Sequence, residues 1–273
     1  MSKISQLLQA RYGEAAPAST QPDNPVLESL LSHRTVRHFL TEPLPQGTLP
    51  TLIAAAQSAA SSSNLQSWSL ISVEDPQQRA HFARLCGDQG HIAQAPLLLI
   101  WLADLNRAKR IADDQEKPSD GLHYFDTFLT AVVDAALAAQ NLVVAAESLG
   151  LGTVYIGALR NNIEEVSRVL ELPEQVFPLL GLVVGIPDPQ QPAAIKPRLP
   201  QAAIAFSEQY EIAPQQEAIT RYNTLFRQFQ KQQQLPEIDW ATQLTERLGH
   251  GSQLKGRVRL REIVENQLGF PLL

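Results

Sequence analysis

The stretch from Ala145 to Gly157 reads Ala-Ala-Glu-Ser-Leu-Gly-Leu-Gly-Thr-Val-Tyr-Ile-Gly. Its first part continues an alanine-rich apolar segment, and Gly150 is the residue type that commonly ends a helix. The next residues, 153–156, are β-branched and aromatic, which favours a strand. We therefore predict a helix that ends at Gly150, followed by a strand. Gly157 closes the strand and permits its backbone to approach a ligand closely.

The helix before this strand is predicted over residues 131–149. It is apolar and long enough to be compared with a membrane span. However, Asp134, Gln140, Asn141 and Glu147 interrupt it, and alanine dominates its apolar content. We therefore predict a helix that is buried in protein and no association of the chain with a membrane.

Hydrophobic periodicity and capping residues predict the remaining elements. Asn24 before Pro25 is typical of a helix start. Further helices are predicted over residues 49–60, 162–170 and 237–268, and further strands over 68–73, 96–101 and 179–186. Residues 105–124 are polar and charged, which indicates an exposed excursion, and proline and glutamine are frequent over 187–236. Helices outnumber strands, so we predict a mixed α+β fold or a three-layer α/β/α domain, with a helical C-terminal excursion.

Composition narrows the class of protein. The chain has 273 residues, of which 44% are hydrophobic, and its net charge is −6. Nucleic-acid binders usually present a basic face, so we predict small-molecule substrates and no nucleic acid. The single cysteine, Cys86, excludes an intrachain disulfide and is more typical of a small buried side chain than of a nucleophile. The first 24 residues lack the pattern of a signal peptide, so we expect a cytoplasmic protein.

The common catalytic and metal-binding motifs are absent from the sequence. It has no glycine-rich dinucleotide or phosphate loop, no paired histidine or cysteine metal motif, and no Gly-x-Ser-x-Gly turn. The six histidines are scattered along the chain. A hydrolase, a kinase or a zinc enzyme would therefore need an arrangement that no motif signals, and we predict no metal site.

Four polar clusters remain as candidates for a binding site. Residues 33–37 combine cations with a hydroxyl, which suits a phosphate group. Residues 61–66 offer neutral donors and acceptors for a polar heterocycle or a polyol. Residues 155–159 end a strand at a glycine, and residues 196–198 hold two cations around a rigid proline. Each cluster could equally be a helix cap, a loop or a salt bridge. The residues alone therefore predict an α+β domain with a possible phosphate-bearing cofactor.

In their order along the chain, these clusters resemble the nitroreductase superfamily, in particular its branch of oxygen-insensitive NADPH nitroreductases and flavin reductases. The matching stretches are residues 32–39 (Ser-His-Arg-Thr-Val-Arg-His-Phe), 61–66 (Ser-Ser-Ser-Asn-Leu-Gln), 87–95 (Gly-Asp-Gln-Gly-His-Ile-Ala-Gln-Ala), 145–157, 180–187 (Leu-Gly-Leu-Val-Val-Gly-Ile-Pro) and 196–200 (Lys-Pro-Arg-Leu-Pro). The resemblance covers residues 25–205 and implies an FMN-binding core there. Outside the core we predict a flexible N-terminal extension over 1–24, where small and turn-forming residues are frequent, and a helical excursion over 206–273 that packs on the core.

The resemblance also implies tightly but non-covalently bound FMN, in a homodimer whose flavin sites lie at the subunit interface. The implied contacts are His33, Arg34, Thr35, Lys196 and Arg198 at the phosphate, Arg37 at the N1/O2 edge of the flavin, Ser61, Ser62, Ser63 and Gln66 at the flavin or its ribityl chain, Gln89 at the ring system, and Tyr155, Ile156, Gly157, Ala158 and Leu159 along the isoalloxazine and phosphate side.

An enzyme is implied that takes hydride from NADPH or NADH at flavin N5 and reduces nitroaromatics or quinones by a ping-pong mechanism. Because the chemistry takes place on the flavin, the resemblance implies no catalytic side chain and no metal. Arg37 is expected to stabilise the anionic reduced flavin. Two alternatives stay open, namely a flavin reductase that supplies reduced free flavin and an FMN-binding protein that is not catalytic. An arginine-rich loop contacts the NADPH 2′-phosphate in many members of this branch. The corresponding residues 231–237 have only Lys231, so both nicotinamides remain candidates.

Overall fold

The computed structural model describes residues 2–19 and 21–273, which contain both α-helices and β-strands. In chain order the helices are α1 Lys3–Tyr12, α2 Pro25–Leu31, α3 Thr48–Gln57, α4 Pro76–Leu85, α5 Gly90–Gln94, α6 Asn106–Asp114, α7 Phe125–Ser148, α8 Ile163–Val169, α9 Ala213–Gln232, α10 Trp240–Leu248 and α11 Leu260–Asn266. The strands are β1 Trp68–Val73, β2 Leu97–Asp104, β3 Gly152–Ile156 and β4 Val176–Gly185.

The chain divides into two units. The small unit comprises the residues up to Arg34 together with Ala193–Leu254, and the large unit comprises Thr35–Pro192 and Lys255–Leu273. Helices α1, α2, α9 and α10 belong to the small unit, whereas the strands and the other helices belong to the large unit. The predicted division into residues 1–24, 25–205 and 206–273 stays a prediction.

The strands of the large unit form one sheet in the order β1-β2-β4-β3, and all neighbouring strands are antiparallel. Strand β1 has the bounds that its alternating sequence predicts. The first seven residues of β2 are all buried, so the side chains on both of its faces lie inside the protein, as expected for a sheet between helical layers. An antiparallel sheet combined with many helices confirms the predicted α+β fold.

Helix α7 forms the main helical contact of the sheet. Its fully buried residues Ala138 and Leu142 belong to one apolar cluster with Leu99 and Trp101 of β2. Small alanine side chains allow the helix to approach the strands closely, and each buried leucine contributes about 1.5–3 kcal/mol. By length and composition α7 could cross a membrane. One stripe of the helix is buried against the sheet, as in a core helix, and another apolar stripe stays exposed.

The link between α7 and β3 follows the predicted pattern. Gly150 has a φ of 78°, a left-handed conformation that glycine adopts without strain, and β3 begins two residues later. A Cβ atom at Gly152 would come within 2.8 Å of the Val36 side chain. The backbone N–H of Val36 donates to the carbonyl of Thr153 at 2.9 Å. The absence of a side chain at Gly152 therefore lets residues 35–36 lie directly against the start of β3.

Helix α1 of the small unit was not predicted, and the bounds of α9 were not predicted within the helical excursion over residues 206–273. Segment 1–24, which we expected to be a flexible extension, contains α1, and Ile4 and Leu7 of that helix are buried. Helix α9 lies in the region rich in proline and glutamine. Its buried residues Ala218, Tyr222, Phe226 and Gln230 recur every fourth position, but only two of them are large and hydrophobic. Because glutamine supports helices without contributing hydrophobicity, the apolar period is hard to recognise in the sequence.

The C-terminal tail differs from the single amphipathic helix predicted over residues 237–268. Helix α10 ends before Gly249, a 3-10 segment follows over Gly251–Arg259, and α11 comes after it. Lys255 within the 3-10 segment has a φ of 55°, which a continuous helix cannot contain. Glycines at 249, 251 and 256 weaken the helix there, since glycine costs more conformational entropy than other residues. The tail therefore divides between the small and the large unit.

Candidate functional site

A buried arginine organises the predicted phosphate-binding residues of the small unit. Arg11 of α1 is only 6% exposed. Its Nη1 donates to the carbonyl of Lys196 at 2.7 Å, and its Nη2 donates to the carbonyls of Leu31 at 2.9 Å and His33 at 2.8 Å. A buried guanidinium is stable only when such acceptors surround it. Arg11 therefore joins the backbone around His33 to the backbone around Lys196.

Two further hydrogen bonds fix the segment 196–198. The backbone N–H of Arg198 donates to the carbonyl of Arg11 at 3.0 Å, and the hydroxyl of buried Tyr222 donates to the carbonyl of Pro197 at 3.0 Å. Burial raises the pKa of Tyr222, and the nearby charge of Arg198 acts in the opposite direction. The Arg34, Lys196 and Arg198 side chains stay exposed. The small unit thus presents several cations on a braced backbone, an arrangement that suits a phosphate.

A cavity of about 310 Å³ adjoins these cations within the small unit. Lys196 and Arg198 line it together with Tyr222, Phe226 and Trp240. The rings of Tyr222 and Trp240 pack edge to face, with centroids 5.5 Å apart. The cavity therefore combines positive charge with aromatic surface, which suits a phosphate attached to an apolar or aromatic body.

In the large unit, residues 35–37 run beside the start of β3. Thr35 forms a parallel bridge with Thr153, and Arg37 is exposed. Burial lowers the pKa of His91, and the positive charge of Arg37 lowers it further. The neutral imidazole is therefore favoured beside Arg37. Gln89 precedes this histidine, and its side-chain amide donates to the carbonyl of Cys86 at 2.8 Å.

The serine-rich loop between α3 and β1 is anchored to α7 by one carboxylate. Asp134 is 1% exposed. It accepts hydrogen bonds from the Ser61 hydroxyl at 2.7 Å, the Ser62 N–H at 3.0 Å and the Ser67 N–H at 3.4 Å. Ser61 is therefore partly buried, whereas Ser62, Ser63 and Gln66 are exposed.

Arg107 holds the end of the same loop. It lies in α6, within the charged excursion that was predicted over residues 105–124. Its guanidinium donates to the Gln66 carbonyl at 2.9 Å, the Trp68 carbonyl at 3.1 Å and the Ser69 hydroxyl at 2.7 Å. The excursion thus supplies a cation that fixes the loop at the beginning of β1.

At the end of β3, in residues 156–159, backbone atoms are more accessible to a ligand than side chains are. Ile156 and Leu159 are buried in the core, so only their backbone atoms can reach a ligand. Gly157 and Ala158 are partly exposed. The Tyr155 hydroxyl donates to the side-chain oxygen of Gln140 in α7 at 3.4 Å. Burial raises the pKa of Tyr155, and the charge of Glu147 raises it further, which keeps the hydroxyl protonated.

The predicted residues thus fall into two groups. The small unit holds His33, Arg34, Lys196 and Arg198 on connected backbone. The large unit holds the others, which lie along residues 35–37, in the serine-rich loop, at the start of α5 (Gln89) and at the end of β3. Sequence reasoning missed Arg11, Asp134 and Arg107. Each of them forms hydrogen bonds with backbone groups of the predicted segments. The sequence contained one signal for Asp134, since it is an acidic residue on the apolar face of α7. A buried carboxylate must accept hydrogen bonds from donors nearby.

Cys86 is buried, as its residue type predicts. Burial raises the pKa of the Cys86 thiol to about 12, so it stays protonated at neutral pH and is a poor nucleophile. Among residues 2–19 and 21–273, the His, Cys, Asp and Glu side chains form no group that could hold a metal ion.

Comparison with known proteins identifies the family. The model of the nitroreductase family matches residues 30–186, and the model of that family's C-terminal domain matches residues 196–272. The chain is 44% identical to the FMN reductase [NAD(P)H] of Bacillus subtilis (strain 168) over 191 residues, which cover 68% of this chain and 75% of that protein. It is 43% identical to the oxygen-insensitive NADPH nitroreductase of Salmonella typhimurium over 188 residues, which cover 69% and 75%.

A solved structure agrees with these matches in sequence. The structure of NfrA2 from B. megaterium superposes with a TM-score of 0.85 at 36% identity, and the superposition covers 90% of this chain and 98% of that one. The similarity thus extends over both units of the chain. The order of motifs, the fold and the relatives agree, and the chain belongs to the nitroreductase family.

Proposed function

We propose that this protein is an FMN-dependent oxidoreductase that uses NADPH or NADH to reduce nitroaromatics or quinones. The observation that carries the proposal is the group of exposed cations on the backbone that Arg11 braces, in a chain whose relatives include an FMN reductase and an NADPH nitroreductase. Such a group fits a cofactor that ends in a phosphate.

The residues of the small unit fit the phosphate of FMN. Lys196 and Arg198 supply positive charge next to an aromatic cavity, and His33 and Arg34 follow on the segment that Arg11 fixes. Guanidinium groups match phosphate oxygens with paired N–H donors. In this assignment the small unit supplies affinity for the phosphate and takes no part in the redox chemistry.

The residues of the large unit fit the flavin ring and the ribityl chain. Ser62, Ser63 and Gln66 offer exposed polar side chains, and Gly157 offers backbone that no Cβ covers. When bound, FMN supplies two-electron chemistry that no amino-acid side chain provides. Arg37, whose side chain is exposed, would stabilise negative charge at the N1/O2 edge of the bound flavin and so favour its reduction. We expect Arg37→Gln to slow flavin reduction by NADPH more than it weakens FMN binding, and a normal reduction rate would refute this role.

Residues 231–237, which follow α9, bear on the choice between NADH and NADPH. The segment after α9 folds back on Gln230 at the end of that helix. The Ile238 N–H donates to the Gln230 side-chain oxygen at 3.0 Å, and the Leu235 N–H donates to the Gln230 carbonyl at 2.9 Å. Lys231 is the one cation in residues 231–237. A single cation selects only weakly for the 2′-phosphate of NADPH. We therefore expect kcat/KM for NADH and for NADPH to differ by less than tenfold, and a tenfold ratio corresponds to about 1.4 kcal/mol.

A flavin reductase is the second candidate, and its support is the relative that is named an FMN reductase. The ratio of kcat/KM for a nitroaromatic to kcat/KM for free FMN separates the two activities. A large excess in favour of free flavin would replace the first assignment with the second. A third alternative is an FMN-binding protein without turnover.

One spectroscopic experiment tests the proposal. Purified protein is incubated with FMN, freed of excess cofactor and scanned, and NADPH or NADH is then added to separate anaerobic samples. Retained flavin bands that bleach on addition of a nicotinamide support an oxidoreductase. Bands that persist would support the binding protein, and a colourless protein would overturn the assignment.

We also propose a homodimer with the flavin sites at its interface, and a location in the cytoplasm. The support for a dimer is an apolar stripe on α7, where Phe125, Leu129, Val133 and Leu137 recur every fourth residue and remain exposed. Exposed apolar stripes of this kind usually meet another protein surface. Light scattering of the purified protein tests this proposal, since a monomeric mass would refute it.

A further inference from the structure

The serine-rich loop, defined as residues 61–67, has a backbone that needs external support. Ser63, Asn64 and Gln66 have φ angles of 49°, 56° and 51°. Residues other than glycine rarely adopt this left-handed conformation, because the Cβ atom then approaches the backbone too closely. Several such residues in one loop persist only where surrounding contacts determine the conformation.

Asp134 provides these contacts from the core. Its two oxygens accept from the Ser61 hydroxyl and the Ser62 N–H at one end of the loop, and from the Ser67 N–H at the other end. The Ser61 hydroxyl also accepts from the Gln66 N–H at 2.9 Å. Both ends of the serine-rich loop are therefore fixed to one buried carboxylate.

The chemistry of the carboxylate explains why this residue stands at position 134. An ionised carboxylate only accepts hydrogen bonds, and each of its three partners here is a donor. An asparagine of the same size would turn one acceptor into an N–H₂ group, which would face a backbone N–H that cannot reverse its role. The serine-rich loop could not keep all of its bonds in that variant.

This arrangement distinguishes Ser61 from its neighbours. Its hydroxyl already donates to Asp134 and accepts from Gln66, whereas the Ser62 and Ser63 side chains are exposed. Ser61 is therefore engaged in building the loop, and the exposed residues are available to a ligand.

We propose that Asp134 is a positioning residue for the flavin, which shapes the serine-rich loop so that Ser62, Ser63 and Gln66 face the cofactor. Ser61 acts through Asp134 and does not bind the flavin itself. The inference rests on the proposed function, which assigns the ring and the ribityl chain to this loop. Asp134 touches neither substrate nor cofactor in this assignment.

The test compares the affinities of two flavins for the wild-type protein, Asp134→Asn, Ser61→Ala and the double variant. FMN and riboflavin differ only in the phosphate, and the serine-rich loop faces the part that they share. We therefore expect Asp134→Asn to weaken both flavins by the same factor, about tenfold, which corresponds to one lost hydrogen bond to a charged group. We also expect the visible circular dichroism of saturating flavin to change, which a loss of stability alone would not cause.

The double variant tests whether Ser61 acts through Asp134. If it does, Ser61→Ala has a smaller effect in the Asp134→Asn background than in the wild-type protein. Additive effects would mean that Ser61 contacts the flavin directly, and they would overturn that part of the proposal. Ser61→Ala alone keeps the backbone bonds to the carboxylate, so it remains informative even if Asp134→Asn folds poorly.

Asp126→Asn is the matched control, because Asp126 lies on the exposed surface of the same helix. It should bind both flavins as the wild-type protein does. Wild-type affinities in Asp134→Asn, or a loss confined to FMN, would overturn the positioning role while the proposed function stands. A wild-type protein that binds neither flavin would instead overturn the proposed function, and this inference with it.

Discussion

Arg11 in the small unit and Asp134 in the large unit perform the same task with opposite charge. Both are almost fully buried, and both bind backbone groups of segments that carry predicted ligand residues. The carbonyl partners of Arg11 lie 20, 22 and 185 residues away along the chain. The partners of Asp134 all lie within the serine-rich loop. A guanidinium with five donors can join several segments, whereas a carboxylate can shape one loop.

The difference predicts different consequences when each residue is removed. Loss of Arg11 separates segments that are distant in the sequence and should affect both the stability of the small unit and the phosphate site. Loss of Asp134 should deform one loop and leave the phosphate site unchanged.

The largest effect is expected for Arg11→Met. The methionine fills part of the space but leaves three carbonyls without their donor, so we expect a loss of about 3 kcal/mol in the free energy of unfolding. FMN affinity should fall as well, because the cations of residues 33–34 and 196–198 lose their common support. Urea unfolding and FMN titration measure the two effects.

Arg221→Met is the control for this variant. Arg221 lies in the same unit, but it is exposed and pairs with Glu217 on the surface of α9, so the expected loss is about 0–1 kcal/mol. Equal losses in the free energy of unfolding of the two variants would contradict the role of Arg11 in joining the segments of the small unit.

Arg198→Ala should have the next largest effect, on binding rather than on stability. A phosphate that loses a charge-assisted partner loses about 1.5–3 kcal/mol of binding free energy. Riboflavin, which has no phosphate, should bind to this variant as it binds to the wild-type protein. Titration with both flavins checks the prediction, and an equal loss for riboflavin would place Arg198 elsewhere in the site. Asp134→Asn should weaken both flavins, so the two variants together distinguish residues at the phosphate end of FMN from residues at its ring.

Arg107→Gln should have a smaller effect on the serine-rich loop than Asp134→Asn. Both residues bind the loop, but Arg107 is 44% exposed and solvent screens its charge. We expect a change of about 0–1 kcal/mol in flavin binding. Titration at low and high salt checks this, since only the contribution of an exposed charge should fade with salt. An effect as large as that of Asp134→Asn would mean that the surface contact controls the loop.

The smallest effect is expected from the titration of His91. Because folding lowers its pKa, the neutral form is favoured, and this contribution to stability is present above the unfolded pKa of 6.5 and is lost as the pH falls below it. Thermal unfolding from about pH 8 to about pH 5 should therefore show a shallower loss in His91→Asn than in the wild-type protein. Identical slopes would contradict the prediction.

Local sequence was sufficient for several elements of the fold. The alternation of Trp68–Val73 predicts β1 with its observed bounds. Asn24 accepts from the Val26 and Leu27 N–H groups, as its position before Pro25 predicts. The bounds of α9 were not predicted, because its buried stripe includes a glutamine and an alanine.

The sequence by itself determined the family, the α+β class and the segments that carry the candidate site, because motifs and periodicity are properties of neighbouring residues. Only the tertiary structure decided which residues support those segments. Arg11 meets Lys196 across 185 positions, and Asp134 meets Ser62 across 72. No local pattern connects such pairs, since a buried charge finds its partners only when the chain has folded around it.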